Sequence, residues 1–156
     1  MTRLGLISDT HGKLRDEVFE HFADVRRVLH AGDIGHAGIL VELETIAPVT
    51  AVWGNMDGFE IRAGLPEVAR LEIDGRGVVV VHGHQVGSPS PETLAPAYED
   101  ADVVVFGHSH RPLEERVDGR LYLNPGSAGA PRFGLRPSIM LLTLRAADED
   151  VRLIEL

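Results

Sequence analysis

Seven side chains able to donate lone pairs to a metal ion are spread over the first 110 residues: Asp9, His11, Asp33, Asn55, His82, His108 and His110. Each follows a short apolar run. Residues 4–7 lead into Ser8-Asp9-Thr10-His11-Gly12, and residues 28–29 into His30-Ala31-Gly32-Asp33. Residues 49–53 lead into Gly54-Asn55-Met56-Asp57, residues 78–81 into His82-Gly83-His84, and residues 103–106 into Gly107-His108-Ser109-His110. Taken singly these are ordinary, because Gly-Asp is a common turn, Asn after Gly readily turns left-handed, and a lone histidine is usually solvated or hydrogen-bonded. Five such endings on five apolar runs call for a shared cause.

Carboxylate, imidazole and amide oxygen together suit borderline divalent ions such as Mn, Fe, Co, Ni or Zn, whereas Mg and Ca favour all-oxygen shells. Seven donors exceed what one such ion needs. Two ions sharing a bridging carboxylate account for the number, and pairs of this kind, about 3.5–4 Å apart, clamp the attacking and leaving oxygens of an in-line displacement.

The elements that must position these donors are legible as alternating apolar runs and helical spacings. Leu14, Val18, Phe22 and Val25 recur at helical intervals, as do Ile39, Leu40, Leu43 and Ile46 before Pro48 stops the helix. Residues 58–67 read as a loop. Residues 68–73 and 78–81 form a hairpin through Asp74-Gly75-Arg76-Gly77, and a second hairpin turns at Asp118-Gly119-Arg120. Ser90 caps and Pro91 opens a short helix toward Tyr98, while residues 138–144 and 151–156 read as closing strands. The expected fold is α/β, with two mixed β-sheets packed as a sandwich and helices on the outer faces. Ligands of such sheets gather beyond the carboxyl ends of the strands, where all seven donors fall.

At 156 residues the chain fits a single domain, 1–156, long enough to bury a core without disulfides. It has no cysteine, which excludes thiolate metal sites and a Cys nucleophile and suits a reducing compartment, so the expected location is cytoplasmic. The net charge of -9, with no basic run longer than Arg26-Arg27, argues against broad nucleic-acid binding. The apolar segment before Asp9 is too short for a signal peptide or a membrane span. A homo-oligomer is compatible with the composition.

The combined pattern Asp9-Thr10-His11, Gly32-Asp33, Gly54-Asn55, His82 and Gly107-His108-Ser109-His110 resembles the calcineurin-like metallophosphoesterases. The likeness runs through Asn124-Pro125-Gly126-Ser127 and is nearest to the small bacterial and archaeal phosphodiesterase branch. It implies the family's αββα sandwich and two divalent transition-metal ions, Mn first, with Fe, Ni, Co or Zn as alternatives. It further implies that Asp9, His11 and His110 hold one ion, that Asn55, His82 and His108 hold the other, and that Asp33 bridges them. Two divalent ions carry four positive charges and the two carboxylates return two, so the centre attracts phosphate despite the acidic chain. The implied reaction is hydrolysis of a small phosphodiester by a metal-bridging hydroxide, with Asp33 and Asn55 in the catalytic centre and Asn55 also touching substrate.

The chain departs from the broad family at Met56, where many phosphomonoesterases and protein phosphatases carry a histidine as acid. Asp57 and His84 are the nearest substitutes, and activated aryl leaving groups need such help least. Arg132 and Arg136 offer guanidinium groups for a substrate phosphate, with solvation as the competing expectation. His30 and His36, flanking Asp33, are expected to support the loop or sit in solvent rather than ligate metal, and His21 to sit on an exposed helix face. Because a one-residue gap in a strand would put His108 and His110 on opposite faces, the chain is expected to curl beyond Gly107, that glycine permitting the turn. Two alternatives stand beside the phosphodiesterase: a metal-binding scaffold for protein partners, as in the small retromer subunit of the same fold, and a nucleotide or phosphoprotein phosphomonoesterase.

Overall fold

The computed structural model describes residues 1–156. Its first half alternates strand and helix: β1 (Thr2–Ile7), α1 (Glu17–His21), β2 (Arg27–His30), α2 (Ala37–Glu44), β3 (Val49–Ala51) and α3 (Phe59–Gly64). The second half is mostly strand: β4 (Val68–Ile73), β5 (Arg76–Val81), α4 (Pro91–Leu94), β6 (Val103–Val105), β7 (Leu113–Val117), β8 (Arg120–Asn124), β9 (Ser138–Leu144) and β10 (Glu149–Glu155). Two five-stranded sheets result, in the orders β10-β9-β1-β2-β3 and β4-β5-β6-β8-β7. Both are mixed: β1, β2 and β3 run parallel in the first, with β9 reversed between β1 and β10, and β5, β6 and β8 run parallel in the second, with antiparallel β4 and β7 at its edges.

Alternation along the strands sorts the apolar residues into three layers. Leu4, Leu6, Leu29, Val78, Val80, Val103, Val105, Leu121 and Leu142 belong to one buried cluster drawn from both sheets, the filling of the sandwich. Their neighbours in sequence face outward: Ile7, Val28 and Leu141 pack with Val18, Phe22, Ile39 and Leu43 of the α1 and α2 segments. On the other sheet Val79, Val81, Val104 and Tyr122 pack with Leu94 and Tyr98 around α4. Strands covered on both faces read as continuous apolar runs, which is why residues 78–81 and 103–106 carry no alternation of polarity. No helix is long and apolar enough to cross a membrane.

Three expectations need correction. Residues 58–67 contain α3, missed because Ile61 is its one buried residue and a single apolar position shows no period. The helix expected across residues 14–25 is only the five-residue α1, although Val18, Phe22 and Val25 do reach the core. The last strand begins at Glu149, two residues before its apolar signal. The helix expected from Ser90 does start there: the Ser90 hydroxyl accepts from Thr93 N and the Thr93 hydroxyl accepts from Ser90 N, a reciprocal cap.

Candidate metal centre

Where the parallel strands end, the backbone turns sharply. Asp9, His11, Asp33, His108 and His110 have φ of 53°, 47°, 51°, 69° and 62°, the left-handed region that side chains with a Cβ enter at a cost of about 1–2 kcal/mol each. Cross-connections between the turns hold them there: Asp9 N donates to Gly32 O, His11 N to Asp33 O and Gly107 N to His82 O, at 2.9, 2.9 and 3.0 Å. The curl after β6 is therefore made by His108 and His110 themselves, which corrects the expectation that Gly107 supplies it. Gly107 has no positive φ, and its lack of a side chain answers a different need. A Cβ there would lie 2.1 Å from Ser8 Oγ and 2.6 Å from Asp9 Oδ2. Gly54 plays the same part for the other carboxylate, since its Cβ would lie 2.2 Å from Asp33 Oδ1.

The turns bring the donors into two adjoining groups, Asp9 with His11 and His110, and Asp33 with His82 and His108, the donor atoms within each lying within 4.8 Å of one another. Each carboxylate divides its oxygens. Asp9 Oδ2 accepts from Ser8 Oγ at 2.6 Å and from His108 N at 3.2 Å, leaving Oδ1 3.3 Å from His110 Nε2 and 3.6 Å from His11 Nε2. Asp33 Oδ1 accepts from Met56 N at 2.8 Å, leaving Oδ2 3.2 Å from His82 Nε2 and 3.8 Å from His11 Nε2. Asp33 Oδ2 thus stands between the two groups. Asn55 Oδ1 lies 3.1 Å from His82 Nε2.

The hydrogen bonding indicates what the groups lack. His82 Nδ1 donates to Ala31 O at 2.8 Å, so in the neutral ring Nε2 presents a lone pair toward Asp33 Oδ2 and Asn55 Oδ1, both acceptors. Acceptors converge in this way around a cation, a proton in the free protein or a metal ion. Burial opposes charge on His82, yet the Asp33 hydrogen bond and the Asp9 and Asp33 charges outweigh it and raise its pKa. Burial also opposes ionisation of Asp9, but the His11 and His110 rings beside it, the charge of His82 and the Ser8 hydrogen bond hold it well below the usual carboxylate range. Asp33 is likewise lowered, burial being overcome by His82 and the Met56 amide. His108 is lowered, by burial and then by the charge of His82. Asp9 Oδ1 is fully buried and accepts no hydrogen bond. An ionised oxygen left so is costly unless a cation faces it, so the residues present fit a divalent ion with oxygen and imidazole ligands.

A supporting layer fixes the donors. Asn124 Nδ2 donates to Gly107 O and Ser109 Oγ, both at 3.1 Å, while its Oδ1 accepts from Gly126 N; Ser127 Oγ donates to Asp9 O at 2.8 Å. His30 Nδ1 accepts from Gly32 N, so Nε2 carries the proton and donates to Thr10 Oγ1, which donates to Ile34 O. Burial first, with the charge of His82, brings His30 down to about 4 against attraction from Asp9, Asp57 and Asp33, so it is neutral at pH 7. His36 caps α2, its Nδ1 accepting from Gly38 N. His21 is half-buried rather than fully exposed. The sequence assigns no individual role to Ser8, Thr10, Asn124 and Ser127; polar residues inside or beside apolar runs are the signal for them.

Other residues singled out in the sequence lie apart. Asp57 is buried with Oδ1 accepting from Gly35 N and Oδ2 from Gly54 N, both at 2.9 Å, so it braces the 54–57 turn and has no free oxygen to bring a proton to the donors. Arg62, unnoticed in the sequence, lies over Trp53 and donates to Asn55 O and Asp57 O, tightening the same turn. His84 sits beside the second group, its ring 5.5 Å from that of His82 and 6.5 Å from that of His108, with Nδ1 buried and unpaired. Burial first, with the charge of His82, lowers its pKa. Arg132 and Arg136 are exposed; Arg136 faces Glu155 at 3.6 Å, and neither side chain touches the two groups. The Met56 side chain is exposed beside Asp33.

Two mixed sheets between helices, with paired carboxylate and histidine clusters at the strand ends, define a metal-binding α/β sandwich. Residues 2–147 match the calcineurin-like phosphoesterase superfamily domain, and the chain belongs to that superfamily. It is 37% identical to a probable metallophosphoesterase of Methanothermobacter thermautotrophicus, over 97% of this chain and 91% of the relative. It is 30% identical to a phosphodiesterase of Methanocaldococcus jannaschii, over 85% of this chain and 91% of the relative. Among solved structures, Vps29 of Entamoeba histolytica complexed with Zn2+ superposes with a TM-score of 0.80 at 27% identity, covering 98% of each chain.

Proposed function

We propose that the protein is a phosphodiesterase dependent on two divalent transition-metal ions, Mn foremost. The observation that carries this reading is Asp33 Oδ2, placed 3.2 Å from His82 Nε2 and 3.8 Å from His11 Nε2, between two donor groups. Asp9, His11 and His110 would hold one ion, Asn55, His82 and His108 the other, with Asp33 shared. Such ions, when bound, lower the pKa of water and polarise phosphoryl oxygens, supplying nucleophile and electrophilic assistance for an in-line displacement. The chain's own residues pre-set that chemistry. The Ser8 and Met56 hydrogen bonds leave one oxygen of each carboxylate facing inward. The Ala31 carbonyl fixes the His82 tautomer so that Nε2 faces inward too. Asn55 ties its amide to the same centre and can meet a substrate oxygen.

Proton delivery to the leaving group is the weak element. Met56 has no proton to give and Asp57 is tied to backbone amides, which leaves His84 or solvent. Diesters with leaving groups of low pKa are therefore the favoured substrates. The cysteine-free chain suits the cytoplasm. The likeness to Vps29 favours a second reading, a metal-binding scaffold for protein partners.

The deciding experiment is a hydrolysis panel with added Mn, covering bis-p-nitrophenyl phosphate, p-nitrophenyl phosphate and nucleotides. Diester hydrolysis should exceed monoester hydrolysis. Asp33→Asn should abolish it while leaving the fold intact. Metal binding without turnover of any ester would establish the scaffold instead, and a monoester preference would establish a phosphatase.

A further inference from the structure

The hairpin that follows the Asn124–Ser127 loop carries an aromatic side chain in an unusual place. Arg132 and Leu135 form an isolated antiparallel bridge, and Leu135 N donates to Arg132 O at 2.9 Å, closing a two-residue turn. Its central residues, Phe133 and Gly134, have φ of 56° and 70°. Turns of this type take Asn, Asp or Gly at the first central position, where a bulky side chain is crowded by its own backbone. Burial does not compensate, since Phe133 is 69% exposed. The ring nevertheless has a defined address. Its centroid lies 6.1 Å from that of His110, edge to face, and the Arg111 guanidinium lies 5.9 Å from it. A strained turn thus holds an open aromatic ring against a member of the first donor group, next to where the proposed reaction would place phosphate.

We propose that Phe133 is a specificity-determining platform on which an aromatic group of the substrate, an aryl ring or nucleobase, stacks while its phosphate lies at the donor groups. The proposal rests on the phosphoesterase reading and names its substrate class. A phosphate held beside His110 places its organic substituent within reach of the ring, and although Arg111 stands over the ring and His110 meets it edge to face, the side chain is 69% exposed, leaving ring surface open for stacking. Arg111, close to the same ring, adds positive charge on that side of the site.

The test uses Mn-loaded protein and two ligands with no ester bond, phenylphosphonate and ethylphosphonate, compared by isothermal titration calorimetry. Wild type should bind the phenyl ligand about 10-fold more tightly, the order of effect one stacked ring supplies. Phe133→Ala and Phe133→Leu should lose that preference with ethylphosphonate affinity and Mn content unchanged, and Phe133→Tyr should keep it. Phe133→Asn, which suits the turn, should raise Tm while losing the preference, separating the platform from any folding role. Equal binding of the two ligands by wild type, or a preference that survives Phe133→Ala, overturns the platform alone. Failure of Mn-loaded wild type to bind either phosphonate overturns the phosphoesterase reading and the platform together.

Discussion

Gly107→Ala should disable the first donor group without disturbing the sheets. The added Cβ would lie 2.1 Å from Ser8 Oγ and 2.6 Å from Asp9 Oδ2, well inside the ~3.5 Å at which uncharged heavy atoms rest against one another. Those two atoms are hydrogen-bonded to each other, and Asp9 Oδ2 also holds the amide of His108. Relief requires both atoms to move, Ser8 Oγ by about 1.4 Å and Asp9 Oδ2 by about 0.9 Å, which swings Asp9 Oδ1 away from His11 and His110 and breaks the clamp that aims it. Overpacking of this kind costs about 1–3 kcal/mol, which in a chain of this length corresponds to a fall in Tm of roughly 2–12 °C. Misaiming a ligand costs about 10–100-fold in metal affinity. Calorimetric titration with Mn measures the second effect, and a thermal melt in chelator measures the first. Gly64→Ala, in α3 with nothing within 4 Å of its Cβ, is the control and should bind Mn as wild type does. If Gly107→Ala matches that control in Mn affinity and Tm, the account of a glycine kept small to seat a carboxylate is wrong.

Two further outcomes follow from residues close by. Met56→His places an imidazole on an exposed position whose amide already anchors Asp33; it should raise turnover of alkyl diesters and monoesters about 10- to 100-fold and aryl diesters far less, since only poor leaving groups need the proton. An equal gain on both substrate types would count against acid catalysis as the missing element. His30, held at about 4 against an ordinary 6.5, stays neutral in the fold while the unfolded chain takes up a proton below pH 6.5. Stability is therefore full above that pH and falls as the pH drops toward the folded value, by about 2 kcal/mol between pH 7.5 and 5. Denaturant unfolding in chelator should show that loss in wild type and a shallower pH dependence in His30→Gln; identical slopes would refute the assignment.

What could be read in the sequence depended on whether the physical cause was local. The donors stood out because a strand buried on both faces is uniformly apolar, so the polar group at its end is abrupt: Val103-Val104-Val105 against His108, or Val78 to Val81 against His82. The sheet sandwich was legible for the same reason, and Ser90-Pro91 announced a helix because capping is a matter of adjacent residues. Misreadings arose where the deciding contact is distant in sequence. Asp57 neighbours Met56 in the chain, yet its oxygens are claimed by Gly35 N, 22 residues earlier, and by Gly54 N. Gly107 looked like a pivot because glycine permits positive φ, but the residue it must accommodate is Asp9, brought beside it from 98 positions away through Ser8 and His108.

The same distance effect explains why the glycines before Asn55 and His108 belong to the donor pattern at all. An ionised carboxylate buried at a strand end must have one oxygen bonded to backbone or hydroxyl so that the other has a single direction to face. That bonding pulls the carboxylate flat against a neighbouring strand end, into the volume a Cβ would fill: Asp33 against Gly54 and Asp9 against Gly107. Each of these glycines is thus matched to the carboxylate of another loop, and each donor set is assembled from several loops, two for Asp9, His11 and His110 and three for Asp33, His82 and His108. It follows that the aim of Asp9 and Asp33 is a tertiary property. A substitution at Gly107, whose Cβ would meet only side-chain atoms, should be felt first by the metal and only then by the fold, the order in which calorimetry and melting of Gly107→Ala should report it.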